Sequence, residues 1–272
     1  MKEQIFISFS KVSTYMQCGI KYELKYVKGI EVPVTPVILL GRSIHRAVEN
    51  LYKGKNNLQV SDIEHIALEA VRQQYGEAKQ SGLFINDNFT EKEIIDRIEK
   101  GTLKMISKYF NVRIKDTTPV MVEHEFLVNL KEEAPKYCAD YDGSLDNVYV
   151  TGYIDFVDSD ENIIDLKTAL RKPQPDVADK SDQLTMYALA YRAETGLLPR
   201  RVILDYIVHD WMNNPDKVPQ IITLQSTRTE SDIQRFLMRL IRVIKGIQAG
   251  VFLPPDPTSW VCNYCIYKQL GY

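Results

Sequence analysis

GYIDFVDSDENIIDLK, residues 152–167, is the stretch that decides the fold. Aliphatic, β-branched and aromatic residues flank Ser159, Asp160 and Glu161, a turn signal, so the segment reads as two antiparallel strands. A three-residue loop at 159–161 pairs Asp158 with Asn162 and sets Asp155 directly opposite Asp165. Directly opposed residues project from the same sheet face, and Lys167, two residues further on, joins them. Ile154, Phe156, Ile164 and Leu166 then form the opposite, apolar face. Two carboxylates this close repel unless a cation neutralises them, and Mg2+ takes a few carboxylates together with waters and phosphate oxygens. A solvated hairpin with an ordinary cross-strand Asp–Lys pair fits this stretch equally well, because short motifs recur by chance.

Outward from the hairpin, the chain changes character. Upstream, NVYVTGYIDFVD (about 147–158) and MVEHEFLVNL (121–130) are strand-like. Before them lie helical patterns at about 90–111, with a Thr90/Glu93 capping box, at about 61–80 with Ser61 as cap, and at 41–53. The segment from Ser8 to Val27 reads as a helix or two, opened by Ser8 or Ser10, and Val32–Pro36 reads as a linker. Downstream, a loop with Pro173 and Pro175 leads to a helix at about 181–194 stopped at Gly196. Two strands, RRVILDYIVHD and PQIITLQS, a helix from about Thr229 to Gly250 and an irregular tail complete the chain. The expected class is α/β (α+β mixed), a central mixed sheet flanked by helices with a helical N-terminal insertion. One domain is expected over 1–272: a helical part at about 8–111, a sheet core at about 119–226, and a helix and cysteine-containing tail at about 229–272.

Hydrophobic residues make up 44% of the 272, enough for a sizeable core. A formal net charge of −2 rules out a general polycation, so any nucleic acid would be held by local basic patches. The longest apolar stretch, Val32–Leu40, is short and broken by Pro33 and Pro36, and the first residues do not read as a signal peptide; a cytoplasmic protein is expected. Disulfides are therefore not expected of Cys18, Cys138, Cys262 and Cys265, and the C-x2-C pair Cys262–Cys265 calls for a metal or cluster reading. Arg97, Lys100, Lys104 and Lys108 recur at helical spacing, Arg171 and Lys172 follow the Asp165–Lys167 strand, and Arg235, Arg239 and Arg242 line the last helix. These are candidate phosphate contacts, with Trp211 and Trp260 as candidate base-stacking rings.

Four further patterns frame the hairpin. Gly41 and His45 open a helix, with Glu49 one turn beyond; Gly152 precedes Asp155; Gln183 and Tyr187 share a helix face; and Ser8, Ser10, Tyr15 and Cys18 stand near the start. In this order the chain resembles the RecB-like branch of the PD-(D/E)XK nuclease superfamily, whose G-x-x-x-H, G-x-x-D, D-x-K and Q-x-x-x-Y motifs read here as Gly41–His45, Gly152–Asp155, Asp165–Lys167 and Gln183–Tyr187. That branch includes RecB- and AddB-type and CRISPR-adaptation exonucleases. The resemblance runs from about residue 8 to 272.

The resemblance implies a restriction-endonuclease-like fold and a Mg2+- or Mn2+-dependent deoxyribonuclease. His45, Asp155, Asp165 and the Leu166 carbonyl would be metal ligands, Lys167 the catalytic lysine, and Gln183 and Tyr187 positioning groups, with Glu123 or Glu125 a further candidate. Exonuclease action on single-stranded DNA or duplex ends is expected by analogy, in repair, recombination, phage DNA metabolism or CRISPR adaptation. The chain has no G-x-x-x-x-G-K-[ST], so a helicase would be a separate protein. The competing class is a non-catalytic DNA-binding or assembly subunit, which predicts a lost catalytic residue. The resemblance also implies that Cys18, Cys262 and Cys265 are ligands of a [4Fe–4S] cluster, but the expected fourth position holds Gly271. A cluster with another ligand, a relic site of reduced thiols, and a zinc site all stay open.

Overall fold

A computed structural model describes residues 4–54, 60–85, 88–138, 141, 143, 145–256, 258–263 and 265–271. In chain order the elements are β1 (Ile5–Ile7), α1 (Phe9–Gln17), α2 (Gly19–Tyr22), a π-helical turn (Glu23–Val27), α3 (Pro36–Gly54), α4 (Val60–Ser81), α5 (Glu91–Val112), β2 (Pro119–Asn129), α6 (Leu130–Tyr137), β3 (Val148–Asp158), β4 (Asn162–Ala169), α7 (Asp182–Thr195), β5 (Arg201–Val208), β6 (Gln220–Ser226), α8 (Glu230–Gln248) and α9 (Ile266–Gln269). The result is a mixed α/β fold with a central mixed sheet flanked by helices. Among the described residues, no helix is long and apolar enough to cross a membrane.

Capping chemistry sets many of the ends. Ser8 caps α1, Thr90 and Glu93 form the capping box of α5, Ser181 caps α7, which ends at Gly196, and Thr229 and Asp232 box α8. Other bounds differ from the sequence reading. α3 begins at Pro36 rather than 41, because proline at a first helical turn gives up no needed N–H. α4 begins at Val60, so Ser61 is a first-turn residue and not the cap. β1, three residues long, and α6, which carries Pro135 inside it, were not expected; both are too short or too proline-bearing to show a period.

Strand β3 organises the sheet. β2 runs antiparallel along one of its edges, from Pro119↔Asp158 to Asn129↔Tyr149. Its other edge is divided. β1 pairs with it in parallel at Val148–Val150, and β4 pairs antiparallel only at Phe156↔Ile164 and Val157↔Ile163. Residues 151–155 therefore have no strand partner on that edge among the described residues. The register is the one that places Asp158 across from Asn162. β4 continues parallel to β5, and β6 closes the sheet antiparallel to β5.

Two apolar layers cover the faces. α1, α7 and α8 pack with Ile7, Val148, Val150, Ile154, Val157 and Ile163. α3, α4 and α5 pack with Phe156, Ile164, Leu166, Ile203 and Ile207. Ile154 thus lies in a different layer from Phe156, against the sequence expectation. The alternation slips in both strands at one place: Phe126 and Val128 share the layer of Ile154, whereas Val122 shares that of Phe156. Glu123, between them, takes a φ of +46°, a backbone state that breaks the two-residue period. The helical part is fastened to the sheet by Asp205, fully buried on β5. Its carboxylate accepts from Arg113 Nε (2.7 Å) and Nη2 (2.9 Å), from Tyr109 (3.1 Å) and from Thr223 (2.6 Å). Four donors around one carboxylate supply the compensation a buried charge needs.

Candidate active site

Asp155 stands where β3 and β4 part. Its Oδ2 accepts from the Leu166 N–H at 2.7 Å, so the side chain takes a donor that a continued ladder would have used. Three residues earlier, Gly152 makes room for the Phe126 ring of β2: a methyl there would lie 2.9 Å from it. Gly41 is under no such constraint, since a methyl would meet Thr168 Oγ1 at an ordinary 3.6 Å.

From α3, His45 brings Nδ1 to 3.5 Å from Asp155 Oδ2. From β2, the irregular backbone at Glu123 aims a second carboxylate at the same place. His45, Glu123 and Asp155 each offer a ligand atom, all within 4.8 Å of one another, the one such trio among the described residues. Of the two glutamates left open by the sequence, Glu123 joins the site; Glu125 lies instead against the exposed Tyr153 hydroxyl. The deciding signal, the backbone slip at 123, has no sequence signature. Glu49 also lines this region but is engaged by Arg46 at 2.7 Å and Lys53 at 2.6 Å.

Asp165 is almost fully buried, and the Lys167 ammonium lies 2.7 Å from its Oδ2. Lys167 Nζ also donates to Gln183 Oε1 at 2.9 Å, and Gln183 Nε2 donates to the Tyr187 hydroxyl at 2.7 Å. The last two sit one turn apart on α7. Sequence reasoning missed the residue that fixes this end of α7. The buried Arg228 donates to the carbonyls of Ala178 (2.7 Å) and Ser181 (3.1 Å) and to Thr185 Oγ1 (2.7 Å).

The electrostatics are those of crowded, desolvated charges. Burial opposes a charge on His45, yet Asp155 beside it outweighs that and raises its pKa to about 9. Burial, with Asp155 adding repulsion, raises Glu123 to about 7. Burial likewise raises Asp165 to about 6, against the pull of Lys167. Asp155 is lowered, because His45, Lys167 and the Leu166 N–H together overcome its burial. Burial holds the Tyr187 hydroxyl protonated. Two carboxylates and an imidazole at this spacing fit a divalent cation, which would displace the proton from His45, with water completing its shell.

The remaining candidates scatter. Arg171 and Lys172 are exposed just beyond β4. Arg97 is bound to the Met212 carbonyl, and Lys100 and Lys104 reach Asp216 at 2.7 and 3.4 Å, so three residues of that basic stripe anchor the β5–β6 loop. Arg235 and Arg239 pair with Asp232 and Asp182. Trp211 is 2% exposed in the α3–α5 layer, which removes it as a base-stacking ring; the Trp260 side chain lies outside the described residues. Cys18 caps α2, its Sγ accepting from Lys21 N–H at 3.2 Å, and Cys265 precedes α9. With Gly271 at the fourth position, three thiols do not fit a four-thiolate cluster.

A model of the PD-(D/E)XK nuclease superfamily matches residues 7–270. Among solved structures, one from Eubacterium rectale, provisionally described as an exonuclease, is similar at a TM-score of 0.59 and 12% identity, over 96% of this chain and 88% of that one. The structure of SSO0001 is 18% identical over 96% and 93% of the two chains, at a TM-score of 0.35. No curated protein matches the sequence.

Proposed function

Since the chain belongs to the PD-(D/E)XK nuclease superfamily, we propose that it is a metal-dependent DNA exonuclease of the RecB-like branch. In this reading phosphodiester bonds are cut at the centre formed by His45, Glu123, Asp155, Asp165 and Lys167. The observation that carries it is the Lys167 ammonium, held between Asp165 Oδ2 and Gln183 Oε1 beside the His45–Glu123–Asp155 trio. A non-catalytic relic would have no reason to keep a half-buried lysine so constrained.

His45, Glu123 and Asp155 would hold Mg2+ or Mn2+, with Asp165 and the Leu166 carbonyl as further ligands. The bound ion supplies charge neutralisation and a more acidic water. The chain's own groups do the rest. The Leu166 N–H fixes the Asp155 carboxylate, and Asp165 and Gln183 fix Lys167, which orients the attacking water or meets charge developing on the phosphate. Tyr187 holds Gln183 in turn. Arg171 and Lys172 would contact phosphates leaving the site. Duplex opening would fall to a separate helicase or recombination partner.

The test is cleavage of end-labelled single- and double-stranded DNA and RNA with Mg2+ or Mn2+, beside Asp165→Ala and Lys167→Ala. The expected result is metal-dependent release of short products from DNA ends by the wild type alone. Equal or absent cleavage in all three proteins overturns the proposal.

A further inference from the structure

Among the described residues, one face of the sheet next to the site carries exposed apolar side chains. Before the slip at Glu123 and Asp155, β1, β3 and β2 bury one face through Ile7, Val150, Ile154 and Phe126. The opposite face of the same residues' neighbours carries Phe6, Tyr149, Tyr153 and Leu127. Phe6 is 42% exposed, Tyr153 51% and Leu127 59%. Phe6 and Tyr149 are register partners with rings stacked at 5.6 Å and 24°. Tyr153 lies four residues along β3, about 13 Å away on the same side, and two residues before Asp155. Aromatic rings left in a row on a flat strand surface are not what a closed fold needs, and such patches mark interaction sites.

We propose that this face is a stacking platform for single-stranded nucleic acid, seating two or three bases on Phe6, Tyr149 and Tyr153 and leading the strand to the His45–Asp155 centre. This deepens the nuclease reading and rests on it. The choice of a single strand follows from chemistry: bases in a duplex have both π-faces occupied, whereas unpaired bases offer theirs to aromatic side chains. The choice of bases over phosphates follows from the neighbours. Glu125 lies against the Tyr153 hydroxyl, and Glu123 is close enough to act on it. Phosphates would turn away from these acids, toward the exposed Arg42, one turn before His45 on the same side of α3. Continuity with the candidate metal site favours a substrate strand over a protein partner.

The test measures fluorescence anisotropy of a labelled oligothymidylate and of a blunt duplex, in EDTA so that nothing is cut. Wild type is compared with Tyr149→Ala, Tyr153→Ala and Tyr153→Phe, all at exposed or half-exposed positions. Each alanine variant should weaken single-strand binding roughly tenfold, Tyr153→Phe should restore it, and duplex binding should change little. Equal single-strand affinity in wild type and both alanine variants overturns the platform. So does a wild-type dimer, seen by sedimentation, that Tyr153→Ala dissociates, since the face would then be covered by a second copy. A separate arm follows hydrolysis of bis(p-nitrophenyl) phosphate by the wild type with Mn2+. No turnover there overturns the nuclease reading and the feeding role with it, whatever the binding arm shows.

Discussion

The Leu166 N–H donates to Asp155 Oδ2 at 2.7 Å, at the point where β3 and β4 stop pairing. One side chain thereby serves as both a strut between strands and a charged group of the candidate metal site. The two roles separate by substitution. Asp155→Asn keeps an acceptor for Leu166, while Asp155→Ala leaves that N–H without one. Thermal melts of the metal-free protein should show Ala losing about 1–3 kcal/mol and Asn less. Both should lose cleavage by more than the roughly 10–100-fold typical of outer-shell changes at metal sites. Retained cleavage in Asp155→Asn would remove Asp155 from the ligand set.

Lys167, Gln183 and Tyr187 form a chain of decreasing influence. Lys167→Ala should abolish cleavage, and Lys167→Arg should not rescue it, because a planar fork cannot replace a point charge held between Asp165 and Gln183. Gln183→Ala should cost about 10–100-fold. Tyr187→Phe should cost less, since the ring keeps its edge contact with Phe126 and the loss is confined to the hydroxyl's hydrogen bonds with Gln183 and Asp165. Single-turnover kinetics should place these losses in the rate, with KM for DNA little changed. A KM effect alone would make α7 a binding element.

The raised acids make the metal-free site a source of instability. Glu123, at about 7, and Asp165, at about 6, bind protons more tightly folded than unfolded. Their contribution is fully present below the unfolded carboxylate values near 4 and is lost as pH rises through about 6 to 7. Melting temperature without metal should therefore fall over that range, and Mn2+ should restore it at pH 8. Glu123→Gln should melt higher than wild type at pH 8 without metal, by about 1–3 kcal/mol, and respond less to Mn2+. Identical pH profiles for the two would remove Glu123 from the cluster.

What the sequence made legible follows from what is local. The 159–161 turn set the hairpin register, and period-two alternation put Asp165 and Lys167 on one face, as found. Helix caps were readable at Ser8 and Thr90 because each is a short-range hydrogen-bond pattern, and the expected starts near Ser181 and Thr229 lie within a residue of α7 and α8. The ordered motifs brought His45, Gln183 and Tyr187 into the picture before any contact was visible. What stayed hidden depends on distant partners. The slip at Glu123 moves Ile154 to the other layer and lifts Glu123 into the trio, and no residue type announces it. Trp211 looked like a ring for bases until α3–α5 closed over it. Arg228 acts through carbonyls on a loop some 50 positions earlier.

The tail shows what the thiols are not needed for. Tyr15 donates to the Val251 carbonyl at 2.7 Å, Gly19 N–H to Leu253 O at 2.8 Å, and Tyr267 to Ile30 O at 3.1 Å, while Tyr22 stacks on Phe252 at 5.9 Å. These contacts clasp the first helices to the C-terminal segment, and none uses a cysteine. Gly19 is the least forgiving point: an added methyl would sit 2.5 Å from Leu253 N and 2.7 Å from its carbonyl oxygen, backbone atoms that cannot swing aside. Gly19→Ala should therefore destabilise the protein by about 1–3 kcal/mol or more, and limited proteolysis should release the tail first. Replacing Cys18, Cys262 and Cys265 together by serine should leave the melting temperature and the proteolytic pattern nearly unchanged, since a hydroxyl in place of the Cys18 thiol still accepts from the Lys21 N–H at the α2 cap. If the serine variant instead frays like Gly19→Ala, and iron or zinc is found in the wild type, the clasp is metal-held and the three thiols are its ligands.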